Sequence, residues 1–339
     1  MILAPKTPAE LAEAIRATPR VLAVGARTKP RLSQCNATLI STRALSGIVE
    51  YEPSEFTFTA LAGTPVREIA AALAKSGQYL PFDPLLVAAG ATLGGTVASG
   101  LSGPGRFRYG GLRDFILGVQ FVDGEGRLLR MGGKVVKNAA GFDLPKFFVG
   151  SLGRYGVLAE ITFKVFPRAA AFRTVRIPTD NVAETMMTMS NTRWELDALD
   201  AADGAIFARI GGPAAALDAL TAEMLARFPT GAVLPEEDAA ASWMIFCELK
   251  WAHTDGALVK VALTPKRLSE LCAALGDARI HVSAGGNVAY VSQPVFEPRF
   301  AGFDALTLRG DAPLFPGNAP VVVPGVKTAL DPQNRFPSL

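Results

Sequence analysis

From Pro84 to Gly105 the chain runs for twenty-two residues without a charged side chain, and six of those residues are glycine and two are proline. The heart of the run is ATLGGTVASGLSGPGR, residues 91–106, which ends on its first charge at Arg106. A linker, a membrane span and a close backbone cradle are the three structures that use such a stretch. Its length suffices to cross a bilayer. Its composition forbids it, because the glycines, prolines, serines and threonines would leave backbone groups unpaired in lipid at a cost of roughly several kcal/mol each. A linker fits no better, since Leu93, Val97 and Leu101 recur at regular spacing inside strand-and-turn sequence. What remains is a place where main chain comes close to something. That partner is either another piece of backbone in a packed turn or an anion met by successive N–H groups, and the run taken alone fits both.

The remainder of the chain narrows the setting. With 339 residues, 49% of them hydrophobic and 19% charged, there is enough apolar surface for a large core divided between two domains. The net charge of +3 arises from 34 basic and 31 acidic residues scattered singly or in pairs, which excludes an extended nucleic-acid footprint. Cys35, Cys247 and Cys272 are odd in number and lack CxxC spacing, so no disulfide framework, zinc site, iron–sulfur cluster or other metal centre is expected. MILAPKTPAELAEAIR has no basic segment followed by an apolar core and cleavage site, and a cytoplasmic, reducing setting is expected.

Three helices are announced by threonine followed by proline, at Thr7-Pro8, Thr64-Pro65 and Thr264-Pro265, the first with Glu10 completing a T-x-x-E box. Short strands are expected at VLAV (21–24), ATLI (37–40), IVEY (48–51) and FTFTALA (56–62). Two more flank the turn Asp123-Gly124-Glu125-Gly126, and VLAEITFKVF (157–166) is another. From Ala169 onward strand and helix alternate. There Leu268, Leu271, Cys272 and Leu275 form a helical stripe facing a sheet, and Met186, Met187 and Met189 read as core filler.

Two further glycine-rich segments repeat the opening theme. AVGARTKP (23–30) follows a strand and offers Gly25, Thr28 and Lys29 as a sharp turn, a hydroxyl and a cation. GSLGRYGVLAEIT (150–162) has glycines at three-residue steps but precedes a strand, whereas a nicotinamide dinucleotide fingerprint follows a strand and opens a helix. The GxxxxGK[ST] phosphate loop is absent. Three separate segments suit a long bent ligand such as FAD.

Taken in order, GTPVREIAAALAKSGQYLPFDP, ATLGGTVASGLSGPGR, GLRDFILG, GGKVVKNAAGFDLPKFFVGSLGRYGVLAEITFKVFPR and KTALDPQNRFP resemble the FAD-binding (E) subunit of bacterial glycolate oxidase. That family belongs with the flavoproteins typified by vanillyl-alcohol oxidase and p-cresol methylhydroxylase (PCMH). The likeness covers residues 20 to 168 well, the tail moderately and the region between poorly. It implies an α+β chain: a two-subdomain, PCMH-type FAD-binding fold over residues 1–168, a smaller α/β cap domain over 169–325, and a tail, 326–339, that returns to the FAD domain. It also implies that Gly25, Ala26, Arg27, Thr28 and Lys29 wrap the FAD diphosphate. Thr92, Gly94, Gly95, Ser99 and Gly100 would pass along diphosphate and flavin, with Gly150, Ser151, Gly156 and Val157 on the adenosine side. Lys137 and Arg106 are candidates for a cation at the flavin pyrimidine, and each equally fits a solvated surface charge. Asp114 reads as a local cap or partner.

Oxidation of a 2-hydroxy acid needs a base, a cation for the carboxylate and a flavin as hydride acceptor. Only the acceptor is supported here. His253 and His281 both lie outside the FAD half and read as structural. Where the family's catalytic subunit carries an arginine–lysine pair before AGYDL, this chain has Val136 and Lys137, with Phe142 in place of tyrosine, and it lacks that subunit's histidine cluster. The resemblance therefore implies a flavin-carrying subunit whose partners are a larger flavoprotein subunit and an iron–sulfur subunit. Glycolate would be oxidised to glyoxylate, with membrane contact only through the partners. Two alternatives stay open: a self-sufficient 2-hydroxy-acid oxidoreductase using His253 or His281 with Lys137 or Arg106, and a scaffold without cofactor. Tyr109 is the one close candidate for an 8α link, so non-covalent FAD is expected.

Overall fold

A computed structural model describes residues 2–133, 143–320 and 324–338. The chain divides into two compact units: Met1–Leu101 with Gly111–Pro167 and Val321–Leu339, and Ser102–Gly110 with Arg168–Pro320. Its elements in order are β1 (Ile2–Leu3), α1 (Pro8–Ala17), β2 (Val21–Val24), β3 (Thr38–Ser41), β4 (Ile48–Glu52), β5 (Thr57–Leu61), α2 (Val66–Ala74), β6 (Gln78–Tyr79), α3 (Leu93–Ser99) and α4 (Arg106–Tyr109). There follow β7 (Ile116–Val122), β8 (Leu128–Gly132), α5 (Leu144–Phe147), β9 (Val157–Lys164), β10 (Phe166–Pro167), β11 (Ala171–Pro178), α6 (Val182–Ser190), β12 (Ala198–Ala202), β13 (Ala205–Gly212), α7 (Ala214–Arg227), β14 (Ala232–Val233) and α8 (Glu236–Cys247). The last are β15 (Ala257–Ala262), α9 (Leu268–Leu275), β16 (Arg279–Ser283), β17 (Val288–Gln293), β18 (Asp304–Arg309) and α10 (Pro324–Leu330).

In the first unit β1, β3 and β2 form a small parallel sheet, and β4, β5, β9, β7 and β8, in that order, an antiparallel one. α1 joins them. Thr7 Oγ1 accepts the Glu10 N–H at 3.1 Å, and the Glu10 carboxylate accepts from the Lys6 N–H at 2.8 Å. The buried stripe Leu11, Ala12 and Ile15 packs with Val21, Ile40, Val122 and Val157, and burying each of the two larger side chains contributes about 1.5–3 kcal/mol. Phe336, near the end of the chain, completes this cluster.

The other two threonine–proline pairs act differently from the expectation. α2 starts one residue late, because the Thr64–Val66 backbone is held extended against 91–93: Val66 N–H donates to Ala91 O and Leu93 N–H to Thr64 O, both at 2.9 Å. The Thr64 hydroxyl turns back and donates to Leu61 O at 2.7 Å, tying the strand end rather than capping the helix. Thr264 precedes a 3₁₀ turn, Pro265–Arg267, and makes no side-chain cap.

The second unit is built on one eight-stranded sheet, β14-β11-β13-β12-β16-β17-β15-β18, in which every described pairing is antiparallel. Strand and helix alternate along much of its sequence, as expected, yet the helices return to antiparallel neighbours rather than crossing over to parallel ones. α6, α7 and α9 lay Met186, Met189, Leu217, Met224, Leu268 and Leu271 on one face, against Val175, Ile206 and Val259. Trp243 and Phe246 of α8 join Ala198, Ala205 and Phe207 in a separate cluster. Two expectations of burial are corrected here: Met187 is 41% exposed and Cys272 is exposed, each lying on the outward side of its helix.

Candidate functional site

The candidate cleft lies within the first unit, where β2 and β3 end side by side. Because these strands are parallel, the loop after Val24 and the first residue after Ser41 leave the sheet at the same edge, the place where open parallel sheets bind ligands. Counted out to its open mouth, the space between its walls is about 740 Å³.

Its walls come from three distant stretches. Gly25, Ala26, Arg27, Thr28 and Lys29 form the first; Thr92, Gly94, Gly95 and Ser99 of α3 and its N-cap form the second; Ser151, Gly156 and Val157 form the third. All of these are residues singled out in the sequence. Two glycines explain why the segments can meet. A Cβ on Gly25 would fall 2.2 Å from Thr92 Oγ1, and one on Gly94 would fall 2.8 Å from the Ala62 Cβ and 2.9 Å from its carbonyl oxygen. Both positions are therefore occupied by close approach of protein to protein, which brings the first turn of α3 against the loop after β2.

The remaining candidates fall elsewhere. Gly100 and Gly150 do not line the cleft; they pack on each other, a Cβ on Gly100 falling 2.9 Å from the Gly150 Cα. Their role is to dock the third loop on α3, with Gly150 N–H donating to Val97 O at 3.0 Å and Leu152 N–H to Ala98 O at 2.9 Å. Arg106 belongs to the second unit, where burial and the charge of Arg106 together pull the Lys260 ammonium down to about 8. Lys137 lies outside the described residues. Asp114 ends a 3₁₀ turn, Leu112–Asp114.

Sequence reasoning missed Ser33, Thr42, Ala62, Ala98 and Gly153, all of which line the cleft. Thr42 was recoverable from the parallel pairing of β2 and β3, since it follows β3 as Gly25 follows β2. The third loop is also supported from the tail. In the C-terminal segment Lys327 Nζ donates to Arg154 O at 2.9 Å and to Asp331 Oδ2 at 2.6 Å, while Asp331 accepts from the Arg335 and Phe336 N–H groups.

The electrostatics of the cleft are one-sided. Among the described lining residues Arg27 and Lys29 are cationic and none is acidic. Lys29 is 8% exposed, and its ammonium donates to Thr28 Oγ1 at 3.3 Å. Burial pulls its ammonium from 10.5 down to about 8. A cleft of small side chains, backbone amides and a buried cation without a carboxylate fits an anionic, extended ligand.

Residues 1–132 match the family described as FAD binding domain. That part of the chain is similar to an FAD binding domain. The glycolate oxidase subunit GlcE of Escherichia coli (strain K12) is 42% identical over 178 residues, covering 51% of this chain and 50% of that protein. The subunit GlcD of Bacillus subtilis (strain 168) is 29% identical over 147 residues, 43% of this chain and 31% of that one. The chain thus spans half or less of the curated relatives it matches. An alkyldihydroxyacetonephosphate synthase structure superposes with a TM-score of 0.64 over 86% of this chain and 67% of the other at 15% identity, a likeness of fold. The first two walls of the cleft lie inside the matched residues, and the third lies outside them.

The histidines of interest sit in the second unit. His281 is 1% exposed, with Nε2 2.8 Å from Asp200 Oδ2 and its ring stacked on Phe246. His253 is held through its backbone, its N–H donating to Ser292 Oγ at 2.9 Å. Tyr109 donates to Asp197 Oδ1 at 2.7 Å. Among the described residues no helix is long and apolar enough to cross a membrane.

Proposed function

We propose that this chain is the FAD-carrying subunit of a glycolate oxidase or dehydrogenase, acting with a larger flavin subunit that holds the main substrate site and with an iron–sulfur subunit. The observation that carries this reading is a cleft, acid-free among the described residues, assembled from three small-residue segments of a chain 42% identical to GlcE over 178 residues. Bound there, FAD supplies a two-electron acceptor for oxidation of a 2-hydroxy acid.

The chain's own residues hold and shape. The Gly25–Lys29 loop and the hydroxyls of Thr28 and Thr92 face the diphosphate. Ser99 and the glycines of α3 give a flat wall for the ring system, and Ser151, Gly156 and Val157 bound the adenosine side. Attachment is non-covalent, a reading supported by the engagement of the Tyr109 hydroxyl with Asp197. The described lining has no histidine, tyrosine or carboxylate to take a hydroxyl proton, which favours a cofactor-carrying role over independent turnover. Any membrane association runs through the partners.

The test has two stages. The purified chain is expected to be yellow and to release FAD into the supernatant on acid precipitation; a colourless chain that takes up no added FAD overturns the reading. Co-expression with the two partner subunits is expected to give glycolate-dependent dye reduction that disappears when this chain is omitted. Full activity without it overturns the assignment to the complex.

A further inference from the structure

Lys29 lines the cleft, and among the described residues its ammonium has no carboxylate partner. The charged groups on the elements that line the cleft are mostly cations. Arg27 shares its loop and the cleft wall, and Arg31 lies on the 3₁₀ turn Pro30–Ser33 that follows Lys29 directly. Arg154, 3% exposed, lies within the third segment; burial lowers its guanidinium most, nearby Cys35 opposes that, and Arg31 adds to it. α3 contributes no charge in LGGTVAS. β9 contributes Glu160, which is committed to Arg130 at 2.7 Å, and α10 contributes Lys327, committed to Asp331. Burial desolvates the amine, and among the described residues no carboxylate is paired with it.

We propose that this chain takes up FAD together with a proton, which passes from solvent to the Lys29 amine as the diphosphate enters the cleft. The inference rests on the FAD reading of the cleft and adds to it a coupling that a backbone cradle alone would not have. In the flavin-free chain the amine titrates near 8. A dianionic diphosphate beside it favours the charged form and raises that value. The sign follows from linkage: the group is more protonated when loaded than when empty, so affinity is complete below pH 7 and is lost as pH rises through 8. For a group of that pKa whose loaded form stays protonated, binding takes up about 0.1 proton at pH 7 and about 0.9 at pH 9, and Kd is about tenfold weaker at pH 9.

The experiment is calorimetric titration of FAD into the flavin-stripped full chain at pH 7, 8 and 9, each in two buffers of different ionisation enthalpy. The wild type, Lys29→Arg and Lys29→Met are compared, and thermal melting confirms that each is folded. Lys29→Arg is expected to bind with no proton uptake and a Kd that does not change with pH, because the guanidinium stays charged throughout. Lys29→Met is expected to bind about tenfold or more weakly at pH 7, again without uptake or pH dependence. Wild-type binding with a Kd equal at pH 7 and 9 and no uptake overturns the coupling and leaves the FAD reading standing, and so does uptake that persists in Lys29→Met. Failure of the folded wild type to bind FAD at any of the three pH values overturns the cofactor reading and the coupling with it.

Discussion

Asp200 in the second unit and Lys29 in the first are both buried ionisable groups, and the protein treats them in opposite ways. The Asp200 carboxylate, 0% exposed, accepts from His281 Nε2, or from its N–H in that tautomer, at 2.8 Å, from Ser283 Oγ at 2.9 Å and from the Ala284 N–H at 3.1 Å. Stacked Phe246 and an edge-on Trp251 pack against the imidazole. Lys29 has one long bond to a neighbouring hydroxyl and an open cleft in front of it. A buried charge whose partners all come from the protein is structure. One whose partner is missing at a cleft wall marks a ligand, because its desolvation is offset only when that ligand arrives. The same distinction separates His281, the more tempting catalytic residue by type, from Lys29, the more informative by environment.

The sharpest way to break this comparison is to remove the satisfied acid. Asp200→Ala strands the Ser283 hydroxyl, the Ala284 N–H and one imidazole nitrogen in the interior, and the expected loss of stability is about 3–5 kcal/mol. Asp200→Asn keeps one acceptor and is expected to lose less. Denaturant unfolding measures both, and flavin content per folded chain is expected to stay at the wild-type level. A loss under about 1 kcal/mol for Asp200→Ala, or a specific loss of flavin from folded protein, would show that the cluster is not purely structural.

How much of this was legible before the structure depends on what each signal measures. Strand positions such as VLAV at 21–24 were readable because apolar β-branched runs bounded by turn residues have few other uses, and β2 spans the same four residues. The three cleft segments were readable from glycine density, because glycine is retained where backbones nearly touch. That signal does not say what the backbone touches. Gly95 lines the cleft, while Gly100 and Gly150 serve a protein–protein approach behind it. Local capping grammar failed at Thr64 for a related reason, since the long-range ladder to residues 91–93 claimed the backbone first. Lys29's burial was illegible altogether. A lysine in a loop reads as solvated unless the packing around it is known.

An intermediate effect tests whether the first two walls meet as described. Thr92 Oγ1 accepts the Gly95 N–H at 3.3 Å as the cap of α3, so Thr92→Ala is expected to cost about 1 kcal/mol. Gly25→Ala places a methyl group against that same oxygen and is expected to cost about 1–3 kcal/mol by forcing the loop away. Because both changes act at one contact, the double variant should be less destabilised than the sum of the two by about 1 kcal/mol. Strict additivity in thermal or denaturant melts would mean that the loop and the helix end do not press on each other.

The smallest expected effect falls on His253, the other histidine that its type would nominate as a base. The protein uses only its main chain: the N–H donates to Ser292 Oγ, and Arg309 donates to its carbonyl oxygen. His253→Ala keeps both bonds, so stability should change by no more than about 0.5 kcal/mol. Flavin content and the glycolate-dependent rate of the assembled complex should match the wild type. A large fall in that rate with flavin content intact would restore His253 as a proton acceptor.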